Sequence, residues 1–401
     1  MNAPATPQRP LDGITVVSLE HAIAAPFCTR QLADMGARVI KVERPGVGDF
    51  ARGYDERVHG LSSHFVWTNR SKESLTLDVK NGEAQDILNS LLAQADVLVQ
   101  NLAPGAAARL GLSFEALHAD FPRLIVCDIS GYGEDGPYHT KKAYDLLIQS
   151  EGGFLSTTGT PGPEGMAKAG CSIADISAGM YAYSNILSAL LLRGRTGTGS
   201  HIDVSMLESL VEWMGYPMYY TFEGAEPPPR AGASHSTIYP YGPFPTGDGQ
   251  TVMLGLQNER EWQVFCEKVL QQPELAGDER FSANARRSTH RDELRALIVQ
   301  AFADMTADDV LARLDEAQIA NAHVNDMHGV WAHPQLKARQ LWASVGSPSG
   351  EIPALLPPGR NNAFAPQMQP VPALGEHSEQ ILAELGYDRQ AIHQLKENNV
   401  I

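Results

Sequence analysis

The N-terminal half of the chain alternates between strand-like and helix-like patterns of apolar and polar positions. Residues 14–19 (ITVVSL) form an apolar run typical of a buried strand, and a helical pattern follows from Pro26 to Gly36. Residues 37–42 (ARVIKV) predict the next strand. A strand, a helix and a second strand in this order form a βαβ unit, which implies a parallel sheet.

The alternation continues through the rest of this half, with helical and strand patterns in turn at 82–95, 96–99, 113–120 and 124–127. The longest helical pattern runs from Asp175 to about Arg193 and precedes a strand pattern at 201–205. Its large apolar residues recur at steps of three and four, which predicts one buried face made of Ile176, Met180, Tyr183, Ile186, Leu187, Leu190 and Leu191.

The pattern changes beyond Glu223. Pro227 to Pro229 predict a linker, and residues 239–256 predict a β-hairpin that turns at Asp248 and Gly249. Helical patterns then fill residues 259–317, which indicates a smaller α+β domain. The tail, 374–401, is helical again, and we expect it to dock on the first domain.

Composition narrows the class of protein. The 401 residues include 31 Lys and Arg against 47 Asp and Glu, a formal charge of −16, which argues against a duplex nucleic-acid binder because such binding depends on cations that neutralise phosphates. At 43% hydrophobic and 19% charged residues the chain resembles an ordinary globular protein, and its length favours two domains.

The cysteines and the N-terminus bear on location. Four widely spaced cysteines form neither a disulfide framework nor a zinc motif and suit a reducing compartment. Residues 1–10 lack the pattern of a signal peptide, and no apolar run reaches about 18 residues. We therefore expect a cytoplasmic protein without membrane association.

Open parallel sheets bind ligands at the carboxyl ends of their strands, here the loops after Leu19, Val42, Val99 and Ile129. The first loop, 20–26, has no glycine, so a nicotinamide or flavin site is poorly supported. Neither a P-loop, a G-x-S-x-G motif nor histidines at metal-ligand spacing occur, so no metal is predicted.

Two aspartates are candidate reactive groups. Asp175 lies where a helix begins; it is either the N-cap of that helix or, one or two positions further on, a nucleophile that the positive helix end keeps ionised. Asp145 follows two lysines and is otherwise part of a solvated charge cluster. His21 is either a base or a packing residue.

Several sequence blocks occur in a fixed order along the chain, at 10–13 (PLDG), 32–46 (LADMGARVIKVERPG), 96–105 (DVLVQNLAPG), 129–133 (ISGYG), 374–377 (LGEH) and 385–387 (LGY). Together they resemble the family III CoA-transferases (CaiB/BaiF family), which include formyl-CoA transferase, carnitine CoA-transferase and succinate–hydroxymethylglutarate CoA-transferase. The resemblance covers essentially the whole chain.

The resemblance implies that Asp175 is the catalytic nucleophile, which forms an aspartyl acyl anhydride and then an aspartyl-CoA thioester. CoA esters would be substrates, with no permanently bound cofactor. Implied CoA contacts are His21, Ala22, Ile23, Arg44, Leu77, Asp78, Val79, Lys80, Asn101, Leu102, Arg109 and Lys142, and implied substrate contacts are Tyr144 and Asp145. The basic residues among them suit the phosphates of CoA.

Two departures from the family pattern narrow the reaction. Related racemases have a histidine where this chain has Tyr144, a poor proton shuttle at neutral pH, which favours transfer over epimerisation. Formyl-CoA transferase has a glutamine at the position of Ile23 and a run of glycines that this chain lacks, which argues against oxalate and formate. A racemase-like enzyme, a hydrolase, a formyl-CoA:oxalate CoA-transferase and a non-catalytic CoA-ester binder remain the alternatives.

Residues 233–241 resemble the corresponding stretch of dicarboxylate-specific members, so we expect a C4 to C6 dicarboxylate substrate, with His235 and Arg230 as candidate partners of its distal carboxylate. The family fold further implies an interlocked homodimer. Its α/β architecture has a large Rossmann-like domain with a parallel sheet (1–205), a linker (206–228), a small α+β domain (229–322) and a return to the large domain (323–401).

Overall fold

The computed structural model describes residues 8–401. Residues 1–7, which carry most of the segment compared above with a signal peptide, lie outside the described residues. The strands are β1 (Thr15–Leu19), β2 (Arg38–Glu43), β3 (Lys72–Thr76), β4 (Val97–Gln100), β5 (Ile125–Ser130), β6 (His201–Ser205), β7 (Tyr241–Pro245), β8 (Thr251–Gly255), β9 (Ala320–His323), β10 (Trp342–Val345) and β11 (Ile352–Leu355).

The α-helices are α1 (Ala24–Asp34), α2 (Ser63–Asn69), α3 (Gly82–Leu92), α4 (Ala106–Arg109), α5 (Phe114–His118), α6 (Asp145–Glu151), α7 (Phe154–Thr157), α8 (Ile173–Thr196), α9 (Met206–Trp213), α10 (Gly215–Tyr220), α11 (Glu259–Val264), α12 (Asn284–Thr289), α13 (Arg291–Phe302), α14 (Ala307–Glu316), α15 (Met327–Ala332), α16 (Pro334–Ala338), α17 (Ser378–Glu384) and α18 (Arg389–Glu397). Single 3₁₀ turns occupy Phe50–Gly53, Phe222–Gly224 and Pro273–Gly277, and a π-helical turn occupies Phe265–Val269.

The chain divides into two compact units. The first comprises the described residues up to Phe154 together with Ala169–Gly215 and Ala338–Ile401, and the second comprises Leu155–Lys168 and Tyr216–Lys337. Much of the segment predicted as a linker, 206–228, is helical, because α9 and α10 fall within it. No helix among the described residues is long and apolar enough to cross a membrane.

A six-stranded sheet forms the centre of the first unit, in the order β3-β2-β1-β4-β5-β6, with every neighbouring pair parallel. This confirms the predicted α/β class. Alternate residues of the strands point to opposite faces, so Val16 packs in the core under α1 and α8, while Val17 packs in the core under α3, α17 and α18.

The pattern did not reveal β3. Its sequence, KESLT, is mostly polar, yet Lys72 and Ser74 are buried and paired in the fold. A strand whose inward residues are polar lacks the alternation by which strands are recognised.

The face of α8 that enters the core differs from the predicted one. Small residues dominate it, namely Ala174, Ser177, Ala178, Gly179, Ala182 and Ala189, together with Ile186 and Arg193. Met180 and Leu191, assigned to the buried face, are exposed. Small residues allow α1 to approach closely: a Cβ on Gly179 would lie 2.7 Å from the carbonyl oxygen of Ala24.

The second unit contains an antiparallel sheet, β7-β8-β9, under α11 to α14. The pairing of β7 with β8 confirms the predicted hairpin. Its core includes Phe244, Trp262 and Phe281.

Candidate active site

Asp175 lies near the start of α8 but does not cap it. Ser172 occupies the N-cap position, and Asp175 is the third helical residue. The N-cap interpretation is therefore wrong. Because its carboxylate is not turned back toward the first amides of the helix, the side chain is available for another role.

Asp145, the first residue of α6, accepts hydrogen bonds from the backbone amides at the start of α8. Its Oδ1 accepts hydrogen bonds from the backbone N–H groups of Ala174 (2.8 Å) and Asp175 (3.3 Å), and its Oδ2 accepts one from Nε2 of Gln149 (2.7 Å). The interpretation of Asp145 as part of a solvated charge cluster is thus wrong, since both of its oxygens have partners within the fold.

A glycine allows Asp145 to reach this position. A Cβ on Gly131 would lie 2.2 Å from the Cβ of Ala143, so only glycine lets residues 141–145 cross the end of β5 so closely. Gly131, in the Gly-rich loop after β5, therefore has a steric role, and Asp145 begins α6 at the end of the crossing segment.

Burial raises the pKa of Asp175 to about 7, and the negative charge of Asp145 contributes to the rise. Among the described residues, none donates a hydrogen bond to the Asp175 carboxylate. The expected effect of the positive helix end is outweighed, because desolvation disfavours the charged form. Near neutral pH, Asp175 is a poorly solvated carboxylate that is about half ionised.

The sheet order reverses between β1 and β4, which is where open α/β sheets bind their ligands. The loops that follow these strands are joined by two hydrogen bonds: the amide of His21 donates to Oδ1 of Asn101, and Nδ2 of Asn101 donates to the carbonyl of His21, each at 2.9 Å. Burial lowers the pKa of His21, and the positive charges of Lys41 and Arg44 act in the same direction. Three residues predicted to contact CoA, His21, Arg44 and Asn101, therefore lie together.

The other predicted CoA contacts vary in accessibility. Lys80, Arg109 and Lys142 are exposed, as are Arg44 and Tyr144. Ala22, Asp78, Val79 and Leu102 are partly buried. Leu77 and Ile23 are buried in the fold, and Leu77 packs in the core under α3.

His235 and Arg230 belong to the second unit. Nδ1 of His235 accepts hydrogen bonds from the amides of Thr237 and Ile238, at 3.2 and 3.1 Å, which leaves Nε2 as the ring nitrogen that carries the proton. Arg230 donates to the carbonyls of Thr160 (3.0 Å) and Gly162. The guanidinium of Arg230 is thus already engaged with its own unit.

Comparison with known proteins decides the family. The model of CoA-transferase family III matches residues 11–378. The chain belongs to this family. It is 32% identical to the human succinyl-CoA:glutarate CoA-transferase over 397 residues, covering 98% of this chain and 90% of the relative. It is 35% identical to the succinate–glutarate CoA-transferase of Agrobacterium fabrum, with 94% of this chain and 96% of the relative covered.

Solved structures support the same family assignment. A CaiB/BaiF family protein from Brucella suis superposes with a TM-score of 0.85 at 35% identity, covering 94% of this chain and all of that one. The hypothetical protein Rv3272 from Mycobacterium tuberculosis gives 0.81 at 28% identity, with 94% and 100% covered.

The sequence reasoning missed four buried charged residues of this family III CoA-transferase: Glu20, Lys41, Asp49 and Lys72. They lie beside the loop at 21–23. Lys41, which lies within the predicted strand 37–42, was the available signal, because lysine is almost never fully buried unless it is paired.

Tyr54 was missed as well. It follows the 3₁₀ turn Phe50–Gly53, and burial raises its pKa to about 12, with Asp49, Asp175 and Tyr144 adding to the rise. Its ring therefore lies close enough to Asp175 to sense the charge of that carboxylate. No motif in the sequence marked it.

A further polar cluster in this transferase lies on β5 and β6. Nε2 of His201 donates to Oδ2 of Asp128 (2.8 Å), and Glu134 lies 3.6 Å from the same nitrogen. Burial raises the pKa of Glu134 to about 7. Oδ1 of Asp128 accepts from Nε2 of Gln100, whose Oε1 accepts from the amide of Leu102, so the cluster supports the loop after β4.

Proposed function

We propose that this enzyme transfers CoA from succinyl-CoA or a similar acyl-CoA to a C4 to C6 dicarboxylate, with Asp175 as the nucleophile. The observation that carries the mechanism is a partly buried, desolvated carboxylate without a hydrogen-bond donor among the described residues, at the start of a helix that another carboxylate caps. Such a carboxylate is more nucleophilic than a fully solvated one, because less solvent and no donor stabilise its charge.

The reaction begins when an oxygen of Asp175 attacks the thioester carbonyl of the donor. The C–S bond breaks, CoA leaves as a thiolate, and an aspartyl acyl anhydride forms. The thiolate then attacks the aspartyl carbonyl of the anhydride, which releases the donor acid and leaves an aspartyl-CoA thioester. The acceptor carboxylate repeats the two steps in reverse and regenerates Asp175.

Recognition of CoA is assigned to the loops at the carboxyl ends of the parallel strands. Exposed Arg44, Lys80, Arg109 and Lys142 supply cations for its phosphates. The remaining contacts are proposed for His21, Ala22, Ile23, Leu77, Asn101 and Leu102. On the acid side we assign Asp145, Tyr144 and His235; Nε2 of His235 can donate to a carboxylate, whereas Arg230 is engaged.

The dicarboxylate class is proposed from relatives that are named for it. Two of them act by name on succinate or succinyl-CoA and glutarate. A third is named succinyl-CoA–D-citramalate CoA-transferase and is 32% identical over 393 residues. Another, named acetyl-CoA:oxalate CoA-transferase, is 34% identical over 343 residues, so oxalate belongs in any test.

The test is a screen of acceptor acids with succinyl-CoA as donor, in which mass spectrometry detects each new CoA ester. We expect glutarate and other C4 to C6 dicarboxylates to be converted faster than monocarboxylates. A preference for monocarboxylates would contradict the dicarboxylate assignment, and a preference for oxalate would contradict the C4 to C6 length. Release of CoA without an acceptor would indicate a hydrolase, and solvent deuterium at the α-carbon would indicate a racemase.

We also propose a homodimer. Leu191 and Leu192 of α8 and Trp213 of α9 are exposed, with Leu191 at 70%. Leu191 and Leu192 are consecutive, and large apolar side chains that lie together on a surface are typical of a protein interface. Light scattering should therefore give twice the chain mass, and glutamate at both leucines should weaken the dimer. A monomeric wild-type protein would contradict this proposal.

A further inference from the structure

Glu20, Lys41, Asp49 and Lys72 form a buried charge network beside the loop of residues 21–23, and each of their side chains is 0% exposed. Nζ of Lys72 lies 2.7 Å from Oε1 of Glu20, and Nζ of Lys41 lies 3.4 Å from the same oxygen and 2.7 Å from Oδ2 of Asp49. Burying four ions is unfavourable unless their geometry is well matched. The two positive and two negative charges balance, and the network holds specific parts of the fold.

Asp49 links the network to the loop. While Lys41 holds Oδ2, the other oxygen, Oδ1, accepts hydrogen bonds from the amides of Ala22 (3.1 Å) and Ala51 (2.9 Å). Ala22 has φ of 60°, the left-handed region that alanine disfavours because of its Cβ. The strained residue is thus held by a carboxylate whose position depends on a buried lysine.

The loop is also held on its other sides. Asn101 exchanges two hydrogen bonds with the backbone of His21. Nζ of Lys72 donates to the carbonyl of Pro26 (3.1 Å), and the hydroxyl of Thr29 donates to Glu20 (2.6 Å), so the first turns of α1 are tied to the network as well.

The loop is linked to Asp175 by the close packing of the start of α1 against α8. Ala24, directly after the loop, packs against Gly179 so closely that a Cβ there would lie 2.7 Å from the Ala24 carbonyl oxygen. Asp175 precedes Gly179 by one helical turn and shares its face. A shift of the loop therefore changes the surroundings of the nucleophile.

We propose that Asp49, held by Lys41, is a positioning residue for CoA transfer: it fixes Ala22 in the left-handed conformation and sets residues 21–23 against Asp175. The inference deepens the proposed function and rests on it for the kinetic part of its test. Asp49 itself touches neither CoA nor the reacting atoms in this scheme.

The principal variant is Asp49→Asn. Its amide oxygen will turn to the Lys41 ammonium, which places the amide NH₂ against the N–H of Ala22, so the brace is lost. We expect kcat to fall about 100-fold while KM for the acyl-CoA rises less than about fivefold, as for a misplaced reacting group. Hydrogen–deuterium exchange in the peptide covering residues 20–27 should accelerate in the substrate-free protein.

A second substitution should rescue the first. In the double variant Lys41→Met/Asp49→Asn no ammonium competes for the amide oxygen, which can turn back to Ala22, while Glu20 keeps Lys72 as its partner. We expect kcat to recover at least about tenfold relative to Asp49→Asn, with slow exchange restored. Absence of recovery in both measurements would overturn the proposal.

Asp34→Asn is the matched control. It neutralises another buried carboxylate, at the far end of α1, paired with Arg30 (2.9 Å) and Arg70 (2.7 Å). We expect kcat within about threefold of wild type and unchanged exchange in residues 20–27, because distant sites act independently. An equal loss of kcat in Asp34→Asn would mean that Asp49 acts only through general stability, and the proposal would be wrong.

The two readouts separate this inference from the proposed function. Faster exchange in Asp49→Asn that is reversed in the double variant supports the brace even if the wild-type protein transfers no CoA, in which case the proposed function fails. Active wild-type enzyme together with wild-type kcat and exchange in Asp49→Asn would overturn the brace and leave the proposed function intact.

Discussion

Asp145 and Asp175 meet at the start of the same helix, yet their surroundings are opposite. Asp145 accepts hydrogen bonds at both oxygens, two of them from the amides of α8. Asp175 receives none from the described residues, and burial raises its pKa to about 7. The comparison shows that the fold uses one carboxylate to complete the helix and leaves the other desolvated and without a donor among the described residues, which the residue type alone could not reveal.

The strongest test of this comparison removes the Asp175 carboxylate, the proposed nucleophile. Asp175→Ala should lower kcat at least about 10⁴-fold, because the proposed covalent intermediates form on the Asp175 carboxylate. CoA binding, measured by calorimetry, should remain. Hydroxylamine treatment during turnover should label wild-type protein at Asp175 and leave the variant unlabelled, and retained turnover in the variant would exclude Asp175 as the nucleophile.

Asp145→Asn tests the other member. We expect kcat to fall about 10- to 100-fold, because the new amide NH₂ opposes Nε2 of Gln149 and disturbs the start of α8, which positions Asp175.

The pH dependence of the same variant provides a second measure. In the wild type, kcat/KM should rise with pH and level off above about 7 as Asp175 ionises. Removing the negative charge of Asp145 lowers the pKa of Asp175, so the rising part of the pH profile should move to lower pH. Asp135→Asn, an exposed change in the Gly-rich loop, should leave the rising part of the profile at the same pH. An unchanged profile in Asp145→Asn would contradict the proposed electrostatic coupling between Asp145 and Asp175.

The desolvated Asp175 carboxylate should also reduce the stability of the fold at neutral and higher pH. The folded protein keeps the Asp175 proton up to about pH 7, whereas the unfolded chain releases it near pH 4, so wild-type stability falls as pH rises between these values. Asp175→Asn avoids that loss and should raise the free energy of unfolding by about 1 to 3 kcal/mol above pH 7, with little difference near pH 4.

Denaturation of both proteins at pH 4.5 and pH 8 measures this difference. Exposed Asp120→Asn serves as the control, for which no change of the difference with pH is expected. If Asp175→Asn raises the free energy of unfolding equally at both pH values, desolvation of the Asp175 charge is not the cause of the gain.

The smallest expected effect concerns substrate binding, away from both carboxylates. Arg109→Glu should raise KM for the CoA ester about tenfold and change kcat less than about threefold, because a phosphate contact is equally strong in the ground and transition states. Steady-state kinetics beside Arg260→Glu, an equal charge change on the exposed surface of the second unit, checks this. A decrease in kcat without a rise in KM would contradict this prediction and would indicate that Arg109 acts on the reacting groups.

Much of the fold followed from local patterns. Five of the six strands of the parallel sheet and the hairpin of the second unit were predicted, because apolar runs and turn residues mark them. Strand β3 was not, since its buried Lys72 depends on Glu20, just after β1, and its buried Ser74 depends on Glu43 of β2. The core face of α8 was misassigned for a related reason: the small residues in it are buried by the close approach of α1, while Leu191 lies outside.

The sequence by itself determined the alternating α/β architecture, the motifs of the family and the position of Asp175 at a helix start. These are properties of residue order and local periodicity. Tertiary structure alone decided that Asp145 caps α8, that the Asp175 carboxylate is left without a donor among the described residues, and that Lys41 and Asp49 hold Ala22. The reason is physical: desolvation and hydrogen-bond pairing depend on groups distant in the chain, and only packing brings those groups together.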